Sequence, residues 1–394
     1  MIKTKIIRVL FVSHERKMGG ANVSLYELVK ELRKMGIEAS VAVLYRGCPI
    51  DKEFRKIGIK TVPCLFGWWV QPSEWNLLMK VCFRLLYFMQ SFGVWKLCHY
   101  VKKNKIDIIH SNSGVIDVGA IVARKTGCRH VWHFREYAEK HYNFEYIKGK
   151  NNSIDFINSY SDANIFISEA LATEYNMINN KHVIYDGISD SYFAKNAYDE
   201  HKNNVTRFLV SGCLTPGKNQ LDILKAVKIL NSEFKLEDKI ELFVAGSSTD
   251  LFESKEYEKE LLKFVKNNNL HNVHFLGYVK DMTELRRKVD VEIIASKYEA
   301  YGRVTVEAMA AKHVVIVSDC GANCELVSEG ETGYIYRSGN IDELVSKMIK
   351  CIDDAKLNVQ IGQNAYEYAY INHRISENAK HVYILYRKLL SLII

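Results

Sequence analysis

The sequence predicts an α/β protein made of two doubly wound units, each a parallel sheet covered by helices on both faces. Three observations lead there. A chain of 394 residues is longer than one core usually fills. Short, nearly continuous apolar runs alternate with helix-length amphipathic stretches from end to end. The apolar periodicity lapses over Ser189–Asn204, where the chain turns polar.

The first sheet is expected to use Arg8–Val12, Glu38–Leu44, Ile106–His110, Arg129–Phe134 and Ala163–Ile167. The second is expected to use Thr206–Ser211, Ile240–Ala245, Val273–Leu276, Val291–Ala295 and Val314–Val317. Amphipathic stretches Val23–Lys34, Leu221–Leu230, Lys255–Asn267 and Ile341–Ile352 supply helices between them. The implied division is residues 1–190, a linker at 191–204, residues 205–370, and a final helix at 371–394 packing back on the first domain. Ligands of open α/β sheets bind beyond the carboxyl ends of the strands, so a site is expected in the cleft between the two units.

Composition is that of an ordinary globular protein, 48% hydrophobic and 25% charged. Residues 1–195 hold 28 Lys+Arg against 18 Asp+Glu, a net of +10; the remainder holds 26 against 28, a net of −2. A basic first half points to an anionic partner, either a membrane surface or a phosphate-bearing substrate. No nucleic-acid motif accompanies the charge, and nucleic acid is not an expected partner. The basic and apolar N-terminus is too short for a secretion signal and reads as the first strand. Nine scattered cysteines show no Cys-x-x-Cys and no zinc spacing, so reduced thiols and a cytoplasmic setting are expected, with Cys320 and Cys324 as small packed side chains.

The strongest chemical signal follows Val291–Ala295. Glu299 lies in a loop, Gly302 at a turn, and Arg303, Val304, Thr305 and Glu307 in the first turns of a helix. A helix start there aims backbone N–H groups and a positive dipole end at a ligand, which suits a diphosphate. Glu307 is placed to accept the two hydroxyls of a ribose, and Glu299 those of a transferred sugar. Read alone, the two acids could instead compensate the helix dipole. Lys218, just past another strand, offers a point charge to a leaving diphosphate. Gly19 and Gly20 after the first strand allow close backbone approach, or simply form a tight turn. They do not make Gly-x-Gly-x-x-Gly, which disfavours a nicotinamide enzyme.

The seven residues between Glu299 and Glu307, followed by Ala-Met-Ala, resemble the Glu-x7-Glu motif of retaining glycosyltransferase family four, in the GT-B superfamily. Four further stretches agree in order: Gly19-Gly20-Ala21, Ser211 to Lys218, Val183 to Ile188, and Ser318 to Glu325. The resemblance implies a GT-B fold, a nucleotide diphosphate sugar, UDP-linked, as substrate rather than a separate cofactor, and retention of anomeric configuration. It also makes His133, at the end of Arg129–Phe134, the contact to the sugar near the reacting carbon, with Asn112, Arg135 and Glu136 at the acceptor rim. Arg135 is expected either to pair with Glu136 or to meet an acidic acceptor. One departure stands out: the family usually carries arginine five residues before the lysine, and Cys213 is there instead. The missing charge-assisted hydrogen bond belongs to a class worth about 1.5–3 kcal/mol, and Arg303 is the proposed substitute. No Asp-x-Asp dyad is found, so no metal is expected and cations with helix N-termini must meet the leaving-group charge.

Phe66 to Lys105 holds four of the five tryptophans, and between Glu74 and Asp107 the only charges are basic: Lys80, Arg84, Lys96, Lys102, Lys103 and Lys105. Interleaved aromatic and basic residues at helical spacing suit an interfacial helix on an anionic membrane, though Leu78, Val81, Leu85, Met89 and Phe92 would also suit a core-facing one. The interrupting charges argue against a spanning helix. The expected activity is transfer of a hexose to a glycan or lipid-linked acceptor in bacterial surface polysaccharide synthesis, at the inner face of the cytoplasmic membrane. A non-catalytic GT-B-like accessory subunit and a phosphorylase-type enzyme are the alternatives.

Overall fold

The computed structural model describes residues 5–193 and 205–392, so most of the expected linker at 191–204 lies outside the described residues. The chain divides into two compact units: one runs up to Gly187 and resumes at Ile375, the other is Ile188–Arg374.

The first unit begins with β1 (Arg8–Val12), α1 (Gly20–Lys34), β2 (Glu38–Val43), α2 (Pro49–Lys56) and β3 (Lys60–Pro63). Then come β4 (Val70–Pro72), α3 (Leu77–Phe88), α4 (Gln90–Asn104), β5 (Ile108–Ser111), α5 (Val118–Thr126) and β6 (Arg129–Phe134). It continues with α6 (Ala138–Tyr142), β7 (Phe144–Tyr146), α7 (Lys150–Tyr160), β8 (Ala163–Phe166), α8 (Glu169–Glu174) and β9 (Lys181–Val183). Its main sheet is parallel, in the order β3-β2-β1-β5-β6-β8-β9, and β4 pairs antiparallel with β7 beside it.

The second unit holds β10 (Thr206–Ser211), α9 (Gln220–Ser232), β11 (Ile240–Ala245), α10 (Phe252–Asn267), β12 (Val273–Gly277), α11 (Met282–Arg286) and β13 (Val291–Ile294). It ends with α12 (Arg303–Ala310), β14 (Val314–Ser318), α13 (Asn323–Leu326), β15 (Tyr334–Tyr336), α14 (Ile341–Asp353) and α15 (Ala355–Asn372). The parallel order is β12-β11-β10-β13-β14-β15. The final helix, α16 (Ile375–Leu389), belongs to the first unit, where Ala379, Val382 and Leu385 join the core that α1 covers.

Each expected strand is present to within about two residues at its ends. The short strands β3, β4, β7, β9 and β15 were not anticipated, because three or four residues leave no apolar run to read. Helix α1 shows why these segments fold as they do. Leu25, Leu28, Val29 and Leu32 recur at helical spacing and are buried, each contributing about 1.5–3 kcal/mol. Arg33 and Lys34 close the last turn, where they complement the dipole.

In both sheets strand order reverses beside the first strand: β1 lies between β2 and β5, and β10 between β11 and β13. Loops after the strands at such a point diverge and leave a crevice at the carboxyl ends.

Helices α3 and α4 are unlike the rest. Their combined stretch, Leu77–Asn104, is long enough and in part apolar enough for a membrane-crossing helix, yet only 22% of its most apolar window is buried. Leu77, Leu78, Leu85, Leu86, Phe88 and Phe92 are all exposed. On the inner side, α4 buries Gly93, Val94, Leu97 and Val101. A Cβ on Gly93 would stand 2.0 Å from the Leu65 carbonyl oxygen, so α4 is seated against the domain backbone.

Candidate active site

In the second unit the site grows from the loops after β10, β13 and β14. A Cβ on Gly246 (φ +149) would lie 1.8 Å from the carbonyl oxygen of Gly212 (φ +129), so only glycine lets the loops after β10 and β11 pass so closely. The chain then turns back, Lys218 N donating to Thr215 O at 2.9 Å, and projects Lys218. Its Nζ donates to Glu299 Oε2 at 2.8 Å and lies 3.3 Å from Ser296 Oγ. Backbone bonds hold both partners: Lys297 N to Gly217 O at 2.8 Å, and Ala322 N to Glu299 O at 2.9 Å. The side chains of Lys218 and Glu299 stay 28% and 14% exposed, so the pair is open to a ligand.

Gly302 takes a left-handed conformation (φ +95) as the N-cap of α12. The first intrahelical bond runs from Val306 N to Gly302 O at 3.0 Å, which leaves the N–H groups of Val304 and Thr305 ahead of the ladder. Thr305 is buried, its hydroxyl donating to Asn323 Oδ1 at 3.1 Å, so its side chain fixes the helix start to α13 and only its backbone serves a ligand.

Glu307 is clamped. Arg286 Nη1 donates to Oε2 and Arg303 Nε to Oε1, both at 2.9 Å. Arg286 is itself buried and donates to Glu292 through Nε (2.8 Å) and Nη2 (3.3 Å), while Ser211 Oγ donates to Glu292 Oε1 at 2.6 Å. Burial alone would lower the affinity of Arg286 for its proton, but the carboxylates of Glu292 and Glu307 outweigh it and raise the pKa. Arg303 was expected to replace the missing arginine at Cys213. In the structure its Nε is engaged by Glu307, four residues on along the same helix, and its guanidinium lies over the Tyr192 ring at 6.0 Å. Cys213 is exposed and fills no cationic role. Cys320 is partly exposed and Cys324 exposed, against the expectation that both are packed away.

In the first unit, Gly19 caps α1 at φ −75 and Gly20 is its first residue, so neither conformation demands glycine. A Cβ on Gly20 would meet nothing within 4 Å, which leaves room there for a ligand. Of the residues expected at a rim, Asn112 and Arg135 are instead buried in a polar layer, while Glu136 stays partly exposed. Asn112 is fully buried, donating to Ala21 O at 3.0 Å and accepting from Arg135 Nε at 2.7 Å. Arg135 pairs with Asp186, Nη1 standing 2.7 and 2.5 Å from its two oxygens. Its ion pair is therefore with Asp186 and not with Glu136. Glu136 accepts from Ser113 Oγ at 2.7 Å and Gly114 N at 2.8 Å. Burial pushes its pKa up to about 7, against the pull of those two bonds.

His133 lies one residue before the end of β6, as expected, and is fully buried. Its Nδ1 is 3.1 Å from His110 Nε2 and 3.3 Å from Arg135 Nη2, and His110 Nδ1 is 2.7 Å from the Tyr386 hydroxyl on α16. Burial, then the Arg135 charge, holds both histidines well below the ordinary pKa, so both are neutral. Nε2 of His133 has no hydrogen-bond partner among the described residues, so one buried polar atom of this layer is left to a ligand.

Sequence reasoning missed Arg286, Glu292, Asp186 and Tyr386. Glu292 did leave a trace: an acid inside the buried strand Val-Glu-Ile-Ile requires a cationic partner. The identity of that partner lies in the fold.

Two family profiles match this chain in succession: "Glycosyltransferase Family 4" over residues 18–192 and "Glycosyl transferases group 1" over residues 193–368. The chain belongs to this family of GT-B glycosyltransferases, and it is a glycosyltransferase. Among its relatives is an uncharacterized glycosyltransferase of Methanocaldococcus jannaschii, 24% identical over 377 residues, 92% of this chain and 93% of the relative. Another is the Escherichia coli UDP-Gal:alpha-D-GlcNAc-diphosphoundecaprenol alpha-1,3-galactosyltransferase, 24% identical over 66% of this chain and 70% of the relative. The fold is shared with Anabaena HepE crystallised with UDP: TM-score 0.79 and 22% identity, covering 98% of this chain and all of that one.

Proposed function

We propose that this glycosyltransferase moves a hexose from a UDP-linked donor to a lipid-linked glycan in surface polysaccharide synthesis, retaining anomeric configuration and needing no metal ion. One observation carries the reading: the Lys218–Glu299 pair, the capped start of α12 and the clamped Glu307 belong to neighbouring loops of the second unit. In this reading the diphosphate displaces Glu299 as the partner of Lys218 and rests on the N–H groups of Val304 and Thr305. Released from Lys218, Glu299 accepts hydroxyls of the sugar, and Glu307, oriented by its two arginines, accepts those of the ribose. In the first unit, His133 offers Nε2 of a neutral imidazole as a hydrogen-bond partner for a ligand hydroxyl. The UDP-bound state of HepE and the lipid diphosphate acceptor in the name of the Escherichia coli relative support the choice of donor and acceptor.

The exposed apolar face of α3 and α4, with no acid between Glu74 and Asp107, supports peripheral docking on the inner face of the cytoplasmic membrane through the Phe66 to Lys105 segment. Because α4 buries its other face on the domain, the pair lies along the surface rather than through it.

The test is transfer from a panel of UDP-sugars to sugar-diphospholipid acceptors, with the product's anomeric configuration read by NMR. Retained configuration at an unchanged rate in EDTA is expected. An inverted product or a metal requirement would refute the mechanism, and preference for a donor on another nucleotide would refute the UDP assignment.

A further inference from the structure

On the inner flank of the exposed helices lies a groove of about 600 Å³. Val94, Trp95, Phe88 and Ile121 give it apolar walls. Three exposed lysines stand at it from three different elements: Lys102 on α4, Lys125 on α5 and Lys148 in the turn before α7. None of them makes an ion pair among the described residues, and no carboxylate lines the groove. Asp117 does not line it; that acid is buried and accepts from the Tyr87 hydroxyl and from Gln90 Nε2 (3.2 Å). Gln90 lines the groove and is 5% exposed, and its Oε1 has no hydrogen-bond partner among the described residues. A buried amide oxygen without a donor is costly unless something supplies one.

We propose that this groove seats one anionic membrane phospholipid whose headgroup also carries a hydroxyl, a phosphatidylglycerol-type lipid. Its phosphate sits among Lys102, Lys125 and Lys148, its headgroup hydroxyl donates to Gln90 Oε1, and its acyl chains leave along Trp95 and Phe88. Cations without an ion pair, one of which, Lys148, lies 4.9 Å from the centre of the Phe156 ring, an orphan acceptor and apolar walls match the three parts of such a molecule. The proposal rests on the membrane-docking reading and sharpens it from a general attraction to a defined site.

The full chain is tested by co-sedimentation with vesicles of phosphatidylcholine, alone and mixed with phosphatidylglycerol or phosphatidic acid. Two double variants remove equal charge: Lys102→Gln with Lys125→Gln in the groove, and Lys103→Gln with Lys105→Gln outside it. The groove pair is expected to lose about fivefold in affinity per lysine and the outside pair clearly less. Gln90→Leu should abolish the preference for phosphatidylglycerol over phosphatidic acid. Brominated phosphatidylglycerol chains should quench the part of the fluorescence that Trp95→Phe removes. Equal losses from the two pairs, or full competition by inorganic phosphate, would overturn the lipid seat while leaving docking intact. If the unaltered chain binds neither kind of anionic vesicle, docking itself fails and the seat with it.

Discussion

The two units both concentrate charge near the carboxyl ends of parallel strands, but they treat it in opposite ways. In the first unit Arg135, Asp186, Asn112, His110 and His133 are buried and bonded to one another. In the second, Lys218, Glu299, Arg303 and Glu307 remain partly exposed, paired with each other but open on one side. The closed layer orders its own unit and offers a ligand little beyond one imidazole nitrogen. The open one can exchange its internal pairs for a substrate's phosphates and hydroxyls. Arg286 and Glu292 are the sealed portion of the second unit, buried behind the groups that face outward.

The largest expected effects come from breaking sealed pairs. Arg286→Leu strands Glu292 in the interior and should cost about 3–5 kcal/mol in urea unfolding of the second unit. Replacing Glu292 by leucine as well should return much of that loss. Arg135→Leu, stranding Asp186, should cost the first unit about as much; a fully stable Arg135→Leu chain would break the contrast between the units.

Next, Lys218→Ala should lower kcat/KM about 100-fold or more, the range for removing one preorganised donor to a developing charge, with unfolding stability within about 1 kcal/mol of the unaltered chain. A stability loss as large as that of Arg135→Leu would show the open pair to be structural too.

Acidification separates the units more gently. Burial holds His14 and His130 at about 3 and His110 and His133 well below their ordinary value, so between pH 6.5 and 5 the unfolded chain takes up protons that the folded unit refuses. Stability of the first unit should therefore fall with pH by up to about 1.4 kcal/mol per pH unit for each histidine. Glu136, raised to about 7, acts the other way between pH 7 and 4.5, as do Glu15 and Asp117, whose pKa values burial also raises. Glu136→Gln should steepen the fall, measured as Tm against pH.

The smallest effect belongs to Gly20→Ala. The added methyl meets open space at a helical position, so stability should rise by about 0.4–1 kcal/mol, while KM for donor or acceptor rises if a ligand uses that space. An unchanged KM would remove Gly20 from the site.

Much of the second unit's site was legible because its groups lie close together along the chain and at strand ends. Glu299, Gly302 and Glu307 fall on one loop and one helix, and Lys218 comes directly after β10. The burial of Asn112 and Arg135 in the first unit was not legible, for the opposite reason. Position after a strand does not say whether a side chain turns toward solvent, and Arg135 turns inward because Asp186, 51 residues further along, is there to meet it. Arg303 was placed correctly at the helix start, but the i,i+4 contact with Glu307 takes its Nε.

Local pattern alone determined the alternation of strands and helices, the division into two sheets and the acid pair flanking a helix start, since each depends on residues within a few turns of one another. Only folding decided that Glu292 would hold Arg286 against Glu307, that Tyr386 would close the histidine layer from the far end of the chain, and that three lysines from separate elements would ring one groove. Those juxtapositions depend on which distant segments pack side by side, and distance along the chain carries no trace of distance in space.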